Sequence, residues 1–291
     1  MNEIKLFCPA SVANVSCGFD VLGFCLEPIG DEMVIRKTSK KGIHIIKIEG
    51  QKLPLETQKN VAGVAALALL EDHPCNYGFE IEIYKGIKAG SGIGSSAASS
   101  AGAVFGINEL MGKPLSRNEL IKYAMKGEKL ASGSAHADNV SPVLLGGFTL
   151  VRCSKTPDII ALPFPSELYA TVIHPKIELR TSDARAVLKK KIYLDKAIEQ
   201  WGNLAALVSG LYTNNFDSIK NSLVDVIIEP HRSALIPGFQ ELKKVAIESG
   251  ALGCGISGSG PSVFALSKGH KTALEVQNGM NNTYKKFNIE Y

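Results

Sequence analysis

Gly90-Ser91-Gly92-Ile93-Gly94-Ser95-Ser96-Ala97-Ala98-Ser99 is the stretch on which the reading of this chain turns. Glycines on alternate positions remove Cβ atoms from one short loop, so an anion can approach the main chain closely. The small and apolar residues that follow, Ala97, Ala98, Ala101, Val104, Phe105 and Leu110, recur near helical spacing. A helix starting there aims free N–H groups and its positive dipole end at the loop. The pattern is not a Walker loop, which needs Lys before the Ser or Thr. It is not the dinucleotide pattern either, because Ser95 stands where that motif has its third glycine. A Gly/Ser linker would not run into a periodic helix, so the stretch reads as a nucleotide phosphate site of another design.

Working outward, Phe79–Tyr84 alternates as a strand and leads through 85–89 into the loop. Strand, loop and helix in that order is the context a phosphate loop needs. Upstream, Glu3–Phe7, Met33–Arg36 and Ile43–Ile48 read as strands, and Asn60–Leu70 as a helix. Downstream, helices are expected at 97–111 and 116–129, the second opened by a Ser116/Glu119 capping box. A strand follows at 147–153. The segment 154–166 carries three prolines and little periodicity, which places a domain boundary there. Beyond it, Leu168–Ile173, 251–256, 263–266 and 287–290 read as strands. Helices are expected at 182–190, 196–212, 216–221, 238–249 and 271–280. Strands and helices mix without a regular βαβ beat, so the expectation is α+β in two domains, residues 1–158 and 159–291.

Composition bounds the function. The chain has 291 residues, 45% apolar and 21% charged, with a net charge of +4, the profile of an ordinary globular protein. Its one basic run, Lys189-Lys190-Lys191, is short and not interleaved with aromatics, which leaves nucleic-acid binding unsupported. No apolar run approaches the ~20 residues that span a bilayer. The six scattered cysteines form no C-x-x-C and no zinc spacing. They read as reduced thiols of a cytoplasmic protein, mostly in the core, and Trp201 also reads as core.

Two further segments share the character of the glycine loop. One is Pro9-Ala10-Ser11-Val12-Ala13-Asn14-Val15-Ser16-Cys17-Gly18-Phe19-Asp20-Val21-Leu22-Gly23. The other is Gly253-Cys254-Gly255-Ile256-Ser257-Gly258-Ser259-Gly260-Pro261-Ser262. Alone, the first offers turn residues and the second a tight hairpin. Together, in this order and across most of the chain, the three resemble the signature of the GHMP small-molecule kinases. That resemblance implies ATP-dependent phosphoryl transfer to a hydroxyl. It also implies a first domain like domain 2 of ribosomal protein S5, a ferredoxin-like second domain, and an active site between them.

Within the family, Asn60-Val61-Ala62-Gly63, Ala131–Pro142, Leu179–Arg185 and Glu229-Pro230-His231-Arg232 look like the versions that homoserine kinases carry. The implied acceptor is L-homoserine, on the route to threonine; mevalonate, shikimate or a sugar is the alternative, and a non-catalytic nucleotide sensor a more distant one. A zwitterionic alcohol needs an acid, a guanidinium and room for the reacting oxygen. Asp20 and Asp138 can meet an ammonium, and Arg185 and Arg232 can grip a carboxylate. Asn14, His136, Asn139, Thr181 and Gly258 complete the implied substrate set. Asn60 matches the part that touches adenine, and the main chain from Gly90 through Ile93, Gly94 and Ser95 to Ser96 and Ala97 would hold the triphosphate. Lys85 and Lys88 lie just ahead of the loop and are candidates to face phosphates. The resemblance implies Mg²⁺ on Ser96, or Ser95, and Glu128, and a homodimer. It puts Asn14, Asp138, Asn139 and Arg185 at the reacting centre. Several relatives carry a proton-accepting aspartate where this chain has Asn139, so positioning replaces base catalysis, with Asp138 as the rival base.

Overall fold

The computed structural model describes residues 1–291 and divides them into two compact units. The first unit takes in Met1–Ser11, Gly23–Ala89 and Gly94–Ala161; the second takes in Val12–Leu22, Gly90–Ile93 and Leu162–Tyr291. Most of the first motif and the front of the glycine loop are therefore counted with the second unit.

In the first unit, β1 (Glu3–Ala13), β2 (Leu22–Thr38), β3 (Gly42–Glu49), β4 (Gly78–Tyr84), β5 (Phe148–Cys153) and β6 (Asp158–Leu162) form one sheet. Its order is β3-β4-β2-β5-β6, with β1 on β2. β2 and β4 run antiparallel, with Glu32 opposite Tyr84 and Arg36 opposite Glu80. This register ends β4 beside Asp31 of β2. Helices α1 (Val61–Asp72), α2 (Ser95–Leu110) and α3 (Arg117–Ser132) pack on one another, and α4 (Val140–Leu145) packs on α2 and α3. α2 is buried on nearly every side, its first turns built of Ser and Ala. Such a helix is placed by packing rather than by amphipathic contrast, which fixes where its N-terminus points. α3 opens on the expected capping box, Ser116 with Glu119.

In the second unit, β7 (Leu168–Ile173), β8 (Gly253–Ile256) and β9 (Val263–Lys268) form an antiparallel sheet in the order β7-β9-β8. α9 (Phe239–Glu248) and α10 (His270–Lys286) cover it, closing a core around Phe239, Leu242, Val276, Met280 and Tyr284. α5 (Thr181–Ala186), α6 (Leu194–Thr213), α7 (Phe216–Ser222) and α8 (Glu229–Arg232) complete the unit.

Most elements expected from sequence are present; α4 and α8 were not expected, and other expectations differ. β6 lies inside the proline-bearing boundary segment, where short strand and turn signals overlap. α5 stops at Ala186, short of the expected 190. The expected last strand does not form, because α10 runs on to Lys286 and residues 287–290 are turn and coil. Trp201 is not core: it is 61% exposed on α6, whose apolar residues exceed what one buried face takes. Of the six free cysteines, Cys8, Cys17 and Cys254 are buried and the other three half-buried.

Candidate active site

The first-unit part of the site starts where the glycine loop becomes α2. Gly94 occupies the N-cap in a left-handed conformation, φ 70°. A Cβ there would collide with Ser11 Oγ and press on Asn139 Oδ1, so glycine is required twice over, by φ and by space. Ser11 Oγ donates to Asn139 Oδ1 at 2.8 Å, which joins β1, the loop and the start of α4 at one point. Asp138, next in the chain, is buried at 3% exposure, and His136 is half-buried in the turn before it.

Glu128 reaches this helix end from α3. It is buried, its carboxylate takes a hydrogen bond from the Ser96 side chain, and its Oε1 has no hydrogen-bond partner. Burial pushes its pKa up from 4.5 to about 7, against the opposing pull of Ser96. A buried acid with an orphan oxygen beside a hydroxyl at a helix N-terminus is a donor set that suits a hard divalent cation. Ser95, the alternative ligand, spends its hydroxyl on Ile87 O at 3.0 Å.

The chain leading into the loop is held equally closely. Gln51 donates to Ile87 O at 2.7 Å and accepts from Ala89 N at 2.7 Å. Lys85 neither faces solvent nor points at the loop opening. Its ammonium is buried in an ion pair with Asp31. Lys88 is exposed. Asn60 caps α1, accepting from Ala62 N at 3.0 Å and donating to Pro54 O at 2.8 Å, so both ends of its amide are engaged locally.

The second-unit part gathers residues from four separated segments. Asn14 donates to Gly258 O at 2.6 Å and accepts from Asp20 N at 3.0 Å, closing the first motif onto the hairpin of the third. Asn14, Val15 and Ser16 are all left-handed, at φ 73°, 41° and 60°, an unusual run without glycine. Asp20 binds Arg185 Nη2 through both carboxylate oxygens, at 2.8 and 3.0 Å. Arg232 is buried, giving Nε to Ala184 O at 3.0 Å and Nη1 to Gly258 O at 2.9 Å. Both guanidinium groups lie against the Phe19 ring, at 5.5 and 5.0 Å from its centroid. Thr181 Oγ1 is 3.3 Å from Ser259 Oγ. The front of the glycine loop docks here as well: Ser257 donates to Gly92 O at 2.7 Å, and Ser262 N to Ser91 O at 3.2 Å. A Cβ on Gly92 would strike Gly260 O.

Of the residues expected from sequence, the structure joins Asn139 to the helix end and Ser96 to Glu128. It also joins Asn14, Asp20, Arg185, Arg232 and Gly258 to one another. It leaves Asn60 and Lys88 outside these contacts. Sequence reasoning missed Phe19 as the shared platform, Ser11 as the anchor of Asn139, and Asp31. The first two stand inside the quoted first motif, as an aromatic and a hydroxyl among small residues. Asp31 sits in the long strand β2 with no motif around it.

Residues 60–147 match the family model described as GHMP kinases N terminal domain, and residues 196–286 match GHMP kinases C terminal. A homoserine kinase of Chlorobium phaeobacteroides (strain BS1) is 45% identical over 98% of this chain and 92% of that protein. The crystal structure of homoserine kinase from Cytophaga hutchinsonii superposes with a TM-score of 0.96 at 49% identity, over 99% of this chain and 92% of that one. The mevalonate kinase of L. major shares the fold at a TM-score of 0.72 and 15% identity, over 96% of this chain and 91% of that one.

Proposed function

The chain belongs to the GHMP kinase family, with its two-domain α+β fold, and from that premise we propose that it transfers the γ-phosphoryl group of ATP to the hydroxyl of L-homoserine, releasing ADP and O-phospho-L-homoserine. The relatives that match nearly full length are homoserine kinases. The observation that carries the acceptor is the Asp20–Arg185 pair, with Arg232 on the same Phe19 ring. An acid and two guanidinium groups meet a zwitterion: Asp20 takes the ammonium and the arginines take the carboxylate. Each charged end of homoserine then replaces one half of the Asp20–Arg185 pair. A neutral sugar or a hydroxy acid without an ammonium leaves part of that charge unmatched. Asn14, His136, Thr181 and the Gly258 main chain complete the acceptor contacts in this proposal.

The nucleotide lies along the loop, its triphosphate on main-chain N–H groups from Gly90 to Ala97, with Lys88 as the exposed cation beside them and Asn60 toward the base. Ser96 and Glu128 would hold the implied Mg²⁺, since their buried, partly unsatisfied donor set fits it. When bound, that ion supplies charge neutralisation on the phosphates, the more needed because this loop has no Walker lysine. The homoserine oxygen forms its bond to the γ-phosphorus as the bond to the β–γ bridging oxygen breaks. Asn139 cannot take the proton. With its Oδ1 committed to Ser11, its amide nitrogen is the end left to donate, and it orients the hydroxyl. The proton leaves to the transferred phosphoryl oxygens or to solvent, which a loose transition state permits. Asp138 is the rival acceptor; loss of a titrating limb in Asp138→Asn at unchanged homoserine affinity would assign the proton to it. We further propose a cytoplasmic enzyme that works as a homodimer. Leu194, Ile198 and Trp201 recur on one face of α6 and are all exposed, an apolar stripe that a second copy would cover.

The deciding experiment is a coupled ADP-release assay with L-homoserine, mevalonate, shikimate and galactose. The expected result is kcat/KM for homoserine at least about a hundredfold above the others, as charge left unmatched in the wrong complex implies. A preference for any other acceptor overturns the reading.

A further inference from the structure

Lys85 directly follows β4, just before the glycine loop, and Asp31 faces it from β2. Their side chains are 1% and 0% exposed. The ammonium has three acceptors for its three protons: the Asp31 carboxylate, Ser95 O at 3.1 Å and Ser99 Oγ at 3.0 Å. The other oxygen of Asp31 accepts from Gly86 N at 3.0 Å and Ile87 N at 2.9 Å. One buried ion pair therefore bonds both to the chain that leads into the loop and to the helical turn that leads out of it.

Such a pair is a poor source of net stability, because desolvating two charges offsets their attraction, and an apolar pair of equal volume fills the same space. What a fully hydrogen-bonded pair supplies instead is one fixed arrangement of the groups around it. The sign of the charges points the same way. The Lys85 ammonium lies against the first turn of α2, the unfavourable end of the helix dipole for a cation. Its placement against Ser95 O is tolerated because Asp31 balances it. Lys85 serves the backbone there and not an anion directly.

We infer that Asp31 and Lys85 are positioning residues for the phosphate loop. They fix the span from Ile87 to Ser95, so that the intervening N–H groups present one preformed cradle. This rests on the reading of that loop as the triphosphate site. Neither residue touches nucleotide; both act through Gly86, Ile87 and Ser95.

The test is equilibrium binding of ATP and of adenosine, which lacks phosphates, to wild type, Lys85→Met, Ser99→Ala and the charge-free double variant Asp31→Leu/Lys85→Met. Losing all three ammonium bonds of the clasp is expected to raise the ATP Kd about tenfold in Lys85→Met, and losing the single bond to Ser99 about threefold in Ser99→Ala. Adenosine binding is expected to stay within about twofold of wild type, since only the phosphate end is displaced. The double variant is expected to fold and still lose ATP selectively. Parallel weakening of ATP and adenosine, or an unchanged ATP Kd, overturns the inference. Ser99→Ala retains the ion pair, so it decides the matter if Lys85→Met does not fold. Wild type that binds ATP no more tightly than adenosine overturns the cradle reading itself. Equal discrimination in wild type and variants overturns the inference alone.

Discussion

Asp20 and Glu128 are two carboxylates with opposite surroundings, and their behaviour should differ accordingly. Asp20 is about one-third exposed and already holds Arg185. Asp20→Asn removes the proposed ammonium partner and is expected to cost about 2 kcal/mol of homoserine binding, roughly thirtyfold in KM, with the KM for ATP unchanged. Steady-state kinetics with each substrate varied in turn checks this. Glu128 is buried with its pKa at about 7, against 4.5 when unfolded. The folded protein therefore holds an extra proton between those values, and stability falls as pH rises through that window. In metal-free buffer the loss is on the order of 3 kcal/mol by pH 8. Thermal melts from pH 5 to 8 should show the decline in wild type and its near absence in Glu128→Gln. At this scale the sequence disclosed which residue types could meet a zwitterion and a triphosphate. It did not disclose that Phe19 carries both arginines or that Lys85 is buried, because a side chain's partner on another strand leaves no local signal.

Elements were the most legible level, and the reasons are visible in particular cases. α3 was readable because Ser116 and Glu119 mark its start by a mechanism, and the structure contains that box. Ser116→Ala removes it and is expected to cost about 1 kcal/mol of stability. Glu128 lies more than three turns further on, so kcat is expected to hold within about twofold while the urea midpoint falls. Loss of kcat in step with stability would show that the cap also governs the acid. Boundaries lacking such a mechanism were misread. α10 runs past the expected 280 to Lys286 because Val276, Met280, Thr283 and Tyr284 keep a buried face for the second-unit core. A periodicity that continues through polar residues such as Asn281 and Asn282 is hard to follow without that core in view.

For the whole molecule, the expectation was a single cut near residue 158, and each of the two compact units is built from three separate stretches of chain. Residues 12–22 and 90–93 belong to the second unit through bonds between residues far apart in sequence, such as Gly258 N to Ala13 O and Ser262 N to Ser91 O. A segment's local pattern does not say which distant strand it will join. Exposure of α6 is of the same kind: its apolar face looked like core, and Trp201 stands in solvent. If that face is where two copies meet, Trp201→Glu is expected to shift the sedimenting species from dimer to monomer at micromolar concentration. Wild type that sediments as a monomer would refute the dimer.

The left-handed run at Asn14–Ser16 sets catalytic fitness against heat tolerance. Each non-glycine residue held at such φ costs about 1–2 kcal/mol. Ser16 also buries a hydroxyl with no partner. Ser16→Gly would relieve both, raising Tm by about 2 °C while loosening the segment that aims Asp20, so the homoserine KM should rise. Laboratory selection for thermal survival alone would then drift toward glycine here, and selection for turnover would hold the serine.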